Sequence, residues 1–158
     1  MPALNKRLHQ FEDLVLVTAL LSMLAMALLQ ILLRNFFDAG IFWAESFLRI
    51  LVLWVAMLGA MVATRNAGHL SIDAASRFLP LNFARWISTI TNLFSSAICC
   101  VVAYYALEFV KFEFEDKTIA FGVVPSWVCQ SILPFGFAIM SFRFLVKSLQ
   151  LAWFGRLA

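Results

Sequence analysis

Charged residues divide the chain into four long apolar stretches: Leu14 to Leu33, Ile50 to Thr64, Trp86 to Leu107 and Thr118 to Phe142. A helix rises about 1.5 Å per residue and the hydrocarbon layer is about 30 Å thick, so about 20 such residues cross it. The second stretch reaches that length once Glu45 and Arg49 are included. The pattern predicts one domain over residues 1–158, with spans at about 14–33, 42–64, 86–107 and 125–147. The first is too long and leucine-rich, and lacks the small-residue cleavage site, for a removable signal peptide.

Polar residues set the boundaries. Met1 to Asp13 mixes Lys6, Arg7, His9, Glu12 and Asp13 with Leu4, Leu8 and Phe11, an amphipathic lead-in to the first span. Arg34 closes that span, and Trp43 marks the interfacial level at the start of the second. Arg65, Asn66 and Gly68 supply a C-terminal stop for helix two after Thr64. Beyond it, LSIDAASRFLP places Ser71 as a cap and Asp73 in a first turn, which predicts a short cytoplasmic interfacial helix over Leu70–Pro80. In helix three, Ser88, Asn92, Ser95, Ser96 and Cys99 share one face that should pack against protein, and Ala56, Gly59 and Ala63 offer a narrow face on helix two. EFVKFEFEDKT reads equally as a continuation of helix three or as an irregular loop. Pro125 opens helix four, and Pro134 should kink it.

Composition turns this pattern into a fold class. With 63% apolar and 13% charged residues, and mean hydropathy of +0.91, the chain is an all-α integral membrane protein. Its net charge of +3 is spread beside the spans, which reads as a topology signal and excludes a nucleic-acid patch. With the N-terminus inside, Lys6, Arg7, Arg65, Arg77, Arg85, Arg143, Lys147 and Arg156 face the cytoplasm, against Arg34, Lys111 and Lys117 outside. Both termini are therefore expected in the cytoplasm. Cys99, Cys100 and Cys129 form neither a redox motif nor a metal-ligand spacing, and a disulfide to Cys129 stays open.

Candidate chemistry centres on helix two. Glu45 and Arg49 are four apart with the acid first, the favourable order for a same-face ion pair. An arginine at that depth costs a few kcal/mol on insertion scales unless it is paired or faces a wet cavity. A structural pair, a charge offered to a partner subunit, and a substrate or ion site compete as explanations. Arg65, Asn66, His69 and Asp73 each have work as topology signal, helix stop or cap. No ionisable residue lies near a midplane, where a transporter usually holds its cargo. His9 and His69 lie outside the spans, which excludes a haem held between membrane histidines. Phosphate loop, nucleophile elbow and HExxH motifs are missing too, so the sequence implies no enzyme, metal or cofactor.

Arg34, then WAESFLRILVLWVAMLGAMVATRNAGHLSID with Trp43, Glu45, Arg49, Trp54, Gly59, Arg65, His69 and Asp73, resembles the signature of the small, DctQ-type membrane subunit of tripartite ATP-independent periplasmic (TRAP) transporters. VPSWVCQSILPFGFAIMSFRFL, with Trp127, Pro134 and Gly136, is similar to that family's fourth helix. The family often has two adjacent acids where this chain has Glu45 followed by Ser46, leaving Glu45 as the only local acid for Arg49. The resemblance implies a sodium-coupled transporter for organic acids in a bacterial inner membrane, fed by a periplasmic binding protein. A large elevator-type subunit would carry the sodium and substrate sites. This subunit would be a non-transporting scaffold that packs against it and helps dock the binding protein. Glu45, Arg49, Trp54, Gly59, Arg65, His69, Asp73 and Pro134 are then expected in structural or subunit-interface roles, with membrane lipid as the remaining partner. The alternative is a stand-alone, small homo-oligomeric transporter.

Overall fold

The computed structural model describes the backbone of residues 2–37, 40–76 and 81–154, and side chains of residues 9–37, 40–65, 83 and 86–153. Three long helices, α1 (Pro2–Phe36), α2 (Ala44–Ser76) and α3 (Leu81–Glu115), precede a hairpin of β1 (Ile119–Phe121) and β2 (Val124–Pro125). A short α4 (Ser126–Gln130) then leads into α5 (Ile132–Phe154). Four helical stretches are long and apolar enough to cross a membrane: His9–Phe36, Ala44–Arg65, Trp86–Glu115 and Ser126–Trp153. They correspond to the four stretches expected from hydropathy.

The helices outrun the apolar stretches at several ends. α1 takes in the amphipathic lead-in, and α3 continues through the Phe-and-charge segment to Glu115, which decides the reading the sequence left open. α2 runs unbroken past Gly68 to Ser76, so the separate interfacial helix expected over Leu70–Pro80 is not found, and residues 77–80 lie outside the described residues. A glycine inside a helix costs only about 1 kcal/mol relative to alanine, so it stops a helix only where the flanking chain has better bonds elsewhere.

The fourth span, where Pro134 was expected to introduce a kink, is interrupted at Ser131, three residues before the proline. Proline has no N–H to bond the carbonyl four residues back, here that of Gln130, and its ring crowds that carbonyl. The break falls at Ser131, between α4 and α5, while Ser131 keeps right-handed helical angles (φ −57°, ψ −22°). Pro125 occupies the N-cap position of α4 in extended conformation rather than its first turn. The hairpin before it was not anticipated. Its two-residue turn holds Gly122 at φ 55°, a conformation that favours glycine.

The residues fall into two compact units, one of residues 1–59 and 109–132, the other of residues 60–108 and 133–158. In the first, Gln30 pairs its side-chain amide with the backbone of Ile41, accepting from its N–H at 3.3 Å and donating to its carbonyl at 3.4 Å. Trp43, Phe47 and Phe121 form an aromatic cluster with centroids 5.5–6.2 Å apart, and Trp127 meets Phe114 edge to face at 5.4 Å.

In the second unit the small polar face of α3 packs on α5, as its spacing implied. Ser88 and Ser96 are buried, and Ser96 and Ser141 each donate to the other's backbone carbonyl, at 3.0 and 2.9 Å. Ser148 adds a bond to the Thr89 carbonyl at 3.3 Å. Hydrophobicity does little to hold helices together in lipid, so close approach of small residues and such bonds carry the association.

The reciprocal serine pair predicts non-additive losses. Ser96→Ala and Ser141→Ala should couple by ~0.6 kcal/mol, and by at most ~1.7, in a double-mutant cycle read by reversible unfolding in detergent or bicelles.

Candidate functional site

The side chains of α2 divide into two faces. Trp54, Met57, Leu58, Met61 and Thr64, at successive spacings of three, one, three and three, turn inward, the last four of them buried. Glu45, Arg49, Val52, Ala56 and Ala63 are exposed, and half-buried Gly59 completes their series at spacings of four, three, four, three and four. Both series follow the helical repeat. The ion pair and the small residues therefore share one exposed face, away from the contacts the helix makes within the chain.

At one end of that face an Arg49 guanidinium nitrogen lies 2.7 Å from a Glu45 carboxylate oxygen, with side chains 76% and 75% exposed. The sequence placed the two residues on one face, and the structure pairs them. Among the described residues no other group reaches either one. A guanidinium carries five donors and a carboxylate two acceptor oxygens, so most of this pair's hydrogen-bonding capacity points outward. A Cβ added at Gly59 would meet nothing within 4 Å, which leaves that stretch of helix open to a close-packed neighbour.

The inward face is tied down by donors aimed at main-chain carbonyls. The Trp54 indole N–H donates to the Cys129 carbonyl at 3.0 Å. Cys129 lies in the last turn of α4, where carbonyls lack a partner from their own helix. Trp54 thus helps satisfy the polar backbone that accompanies the proline break. From α5, Arg143 donates to the Met61 carbonyl at 2.6 Å, and Lys147 to the carbonyls of Thr64 at 2.5 Å and Arg65 at 3.3 Å. The Thr64 hydroxyl also donates to the Met61 carbonyl, at 2.8 Å.

The expected site residues therefore divide. Trp54 and Arg65 are drawn into contacts within the chain, and Pro134 is buried early in α5. Glu45, Arg49 and Gly59 face outward. His69 and Asp73 lie on the helical backbone of α2, but their side chains are outside the described residues. Arg143 and Lys147 were read only as topology signals, although their spacing of four places them on one helix face. Cys99, Cys100 and Cys129 are free thiols, and among the described residues no cluster of histidine, cysteine and acid has metal-binding geometry.

Against known proteins, the family model for the tripartite ATP-independent periplasmic transporters, DctQ component, matches residues 23–153. A TRAP transporter small permease protein of Haemophilus influenzae is 24% identical over 123 residues, 78% of this chain and 74% of that one. The sialic acid TRAP transporter small permease protein SiaQ of Vibrio cholerae is 25% identical over 153 residues, 94% of this chain and 85% of that one. The sialic acid TRAP transporter permease protein SiaT of Haemophilus influenzae is 26% identical over 144 residues, covering 89% of this chain but only 23% of that longer protein.

The carbonyl contacts of α5 give a direct stability test. Replacing Arg143 by methionine keeps apolar bulk but removes a charged donor, and hydrogen bonds to charged groups contribute about 1.5–3 kcal/mol. Arg143→Met should lower unfolding free energy by about that amount, and a change under 0.5 kcal/mol in reversible unfolding would show the contact to be dispensable.

Proposed function

The chain belongs to the DctQ component of the tripartite ATP-independent periplasmic transporters, and from that premise we propose that it is a scaffold subunit, neither transporting nor enzymatic, whose exposed α2 face packs against a large membrane subunit. The observation that carries this reading is the common face of Glu45, Arg49, Ala56, Gly59 and Ala63. A paired acid and base three-quarters exposed at the start of a spanning helix gain most when a protein neighbour supplies further hydrogen bonds. The small residues beyond them let a second helix approach closely. SiaT supports the same arrangement, because a stretch similar to this chain makes up about a quarter of that longer permease.

In this reading the complex sits in a bacterial inner membrane with both termini of this subunit in the cytoplasm, and takes up organic acids against a sodium gradient. Cargo and sodium bind the large subunit, which moves as an elevator against the fixed scaffold. A periplasmic binding protein delivers the cargo and docks partly on this subunit. Glu45 and Arg49 are then structural: their mutual attraction makes the charges tolerable in the membrane, and the partner completes their hydrogen bonding. Arg65, His69 and Asp73 hold the cytoplasmic end of α2, and Trp54 and Pro134 shape the broken fourth span that supports it.

Transport and assembly can be tested separately. The purified subunit in liposomes should move no organic acid under a sodium gradient, and transport should require the large subunit and binding protein; uptake by this chain alone would establish the small-transporter alternative. Reporter fusions at Ala158 should read cytoplasmic, and fusions at Glu115 periplasmic.

The face itself is tested by substitution. Gly59→Leu meets open space within the chain and replaces a poor helix former, so it should leave the subunit's unfolding unchanged or slightly improved while weakening co-purification with the large subunit. Arg49→Ala should destabilise the assembled complex by about 3–5 kcal/mol, more than joint replacement of Glu45 and Arg49 by leucine, because a lone buried charge is worse than none. Unimpaired assembly of the Gly59 and Arg49 variants would place the interface on another face.

A further inference from the structure

From Thr118 to Phe142 the chain carries no charged residue, and the hairpin opens that stretch. Its two strands pair with each other, with a bulge at Ala120. Ile119 faces Pro125 and Phe121 faces Val124 across the two strands, and the Ser126 N–H closes the base on the Thr118 carbonyl at 2.9 Å. The Thr118 hydroxyl in turn donates to the Glu113 carboxylate on the last turns of α3. Two aromatic contacts fix the hairpin's position. Phe121 stacks on Trp43 at 6.2 Å with planes 23° apart, and meets Phe47 edge to face at 5.5 Å.

Those contacts place the hairpin at the edge of the apolar spans. Trp43 directly precedes the span Ala44–Arg65, and Pro125 directly precedes the span Ser126–Trp153. Yet the hairpin turns apolar side chains outward: Val123 at its tip is 94% exposed and Ile119 66%, while Phe42 beside Trp43 is fully exposed. A seven-residue segment, Ile119 to Pro125, that has no charge, shows apolar side chains and pairs part of its backbone across the hairpin suits the headgroup–acyl boundary, where water still reaches the remaining groups and indoles concentrate. The exposed charges nearest in sequence, Glu115, Asp116 and Lys117, precede the hairpin's base, while its Gly122–Val123 tip carries no polar side chain, an order that suits headgroups around the base and acyl chains around the tip.

We propose that the β1–β2 hairpin is a lipid anchor: Val123 and Ile119, with Phe42 alongside, insert into the interfacial layer of the bilayer and hold the adjoining ends of α2 and α4 at a fixed depth. The occupant of this surface is phospholipid, not a protein partner. The assignment is independent of which side of the membrane the hairpin faces and of the scaffold reading.

Spin labels at Val123→Cys and, separately, Ile119→Cys test it, in a background where Cys99, Cys100 and Cys129 are replaced by alanine and the protein is reconstituted in phosphatidylglycerol–phosphatidylcholine nanodiscs. Collision with oxygen, which partitions into lipid, is compared with collision with a water-soluble nickel chelate; Leu24→Cys in mid-span gives the lipid reference and free label the aqueous one. Both hairpin labels should show a several-fold loss of nickel accessibility relative to free label, with oxygen accessibility retained and unchanged when the large subunit or binding protein is added. Labels as accessible to nickel as free label would overturn the anchor by placing the hairpin in water. Labels that lose both collisions when either protein is added would overturn it in favour of a protein-docking surface.

Discussion

A carbonyl oxygen inside a hydrocarbon layer has no water to turn to, and much of this molecule's internal organisation follows from that. The polar side chains that join its helices donate mainly to main-chain carbonyls. Trp54 reaches Cys129 in the unit containing the hairpin; in the other unit Arg143 and Lys147 reach Met61, Thr64 and Arg65, and the two serines exchange bonds with each other's backbone. Each such bond satisfies a buried or half-buried donor and ties two helices together. A basic residue among apolar spans thereby becomes a fastener as well as a topology signal. It also explains how α2 can commit one face to its own chain and leave the other, with its ion pair, exposed.

The four spans were legible because a membrane demands long uninterrupted apolar stretches and charged residues bound them sharply. The serine face of α3 was legible because small polar residues at helical spacing have few other uses in lipid. Proline's missing N–H made the break in the fourth span legible as well, to within three residues of Pro134. Spacing alone put Glu45 and Arg49 on one face of their helix, while their pairing with each other is seen only in the structure.

What the sequence concealed has equally physical causes. The hairpin was hidden because valine, isoleucine and phenylalanine serve a strand and a spanning helix alike, so Ile119 to Pro125 read as part of an apolar stretch, with Gly122 as the sole turn signal. Gly68 was read as a stop, but glycine's modest helix cost does not end a helix by itself. The roles of Trp54, Arg143 and Lys147 were hidden more deeply. Their acceptors are backbone oxygens, which every residue has, so no residue type marks the far end of the bond.

That last feature bears on how such a protein changes over evolutionary time. A side chain that binds another side chain constrains two positions, and substitutions at one must be matched at the other. A donor aimed at a carbonyl constrains only itself: Cys129, Met61 and Thr64 can change identity while the oxygen stays in place, provided the replacement fits the space. Helix pairs held in this way should drift far in sequence while keeping their geometry. They should also leave little trace in correlated substitutions, so the strongest ties between these helices are the ones a covariation map would show least.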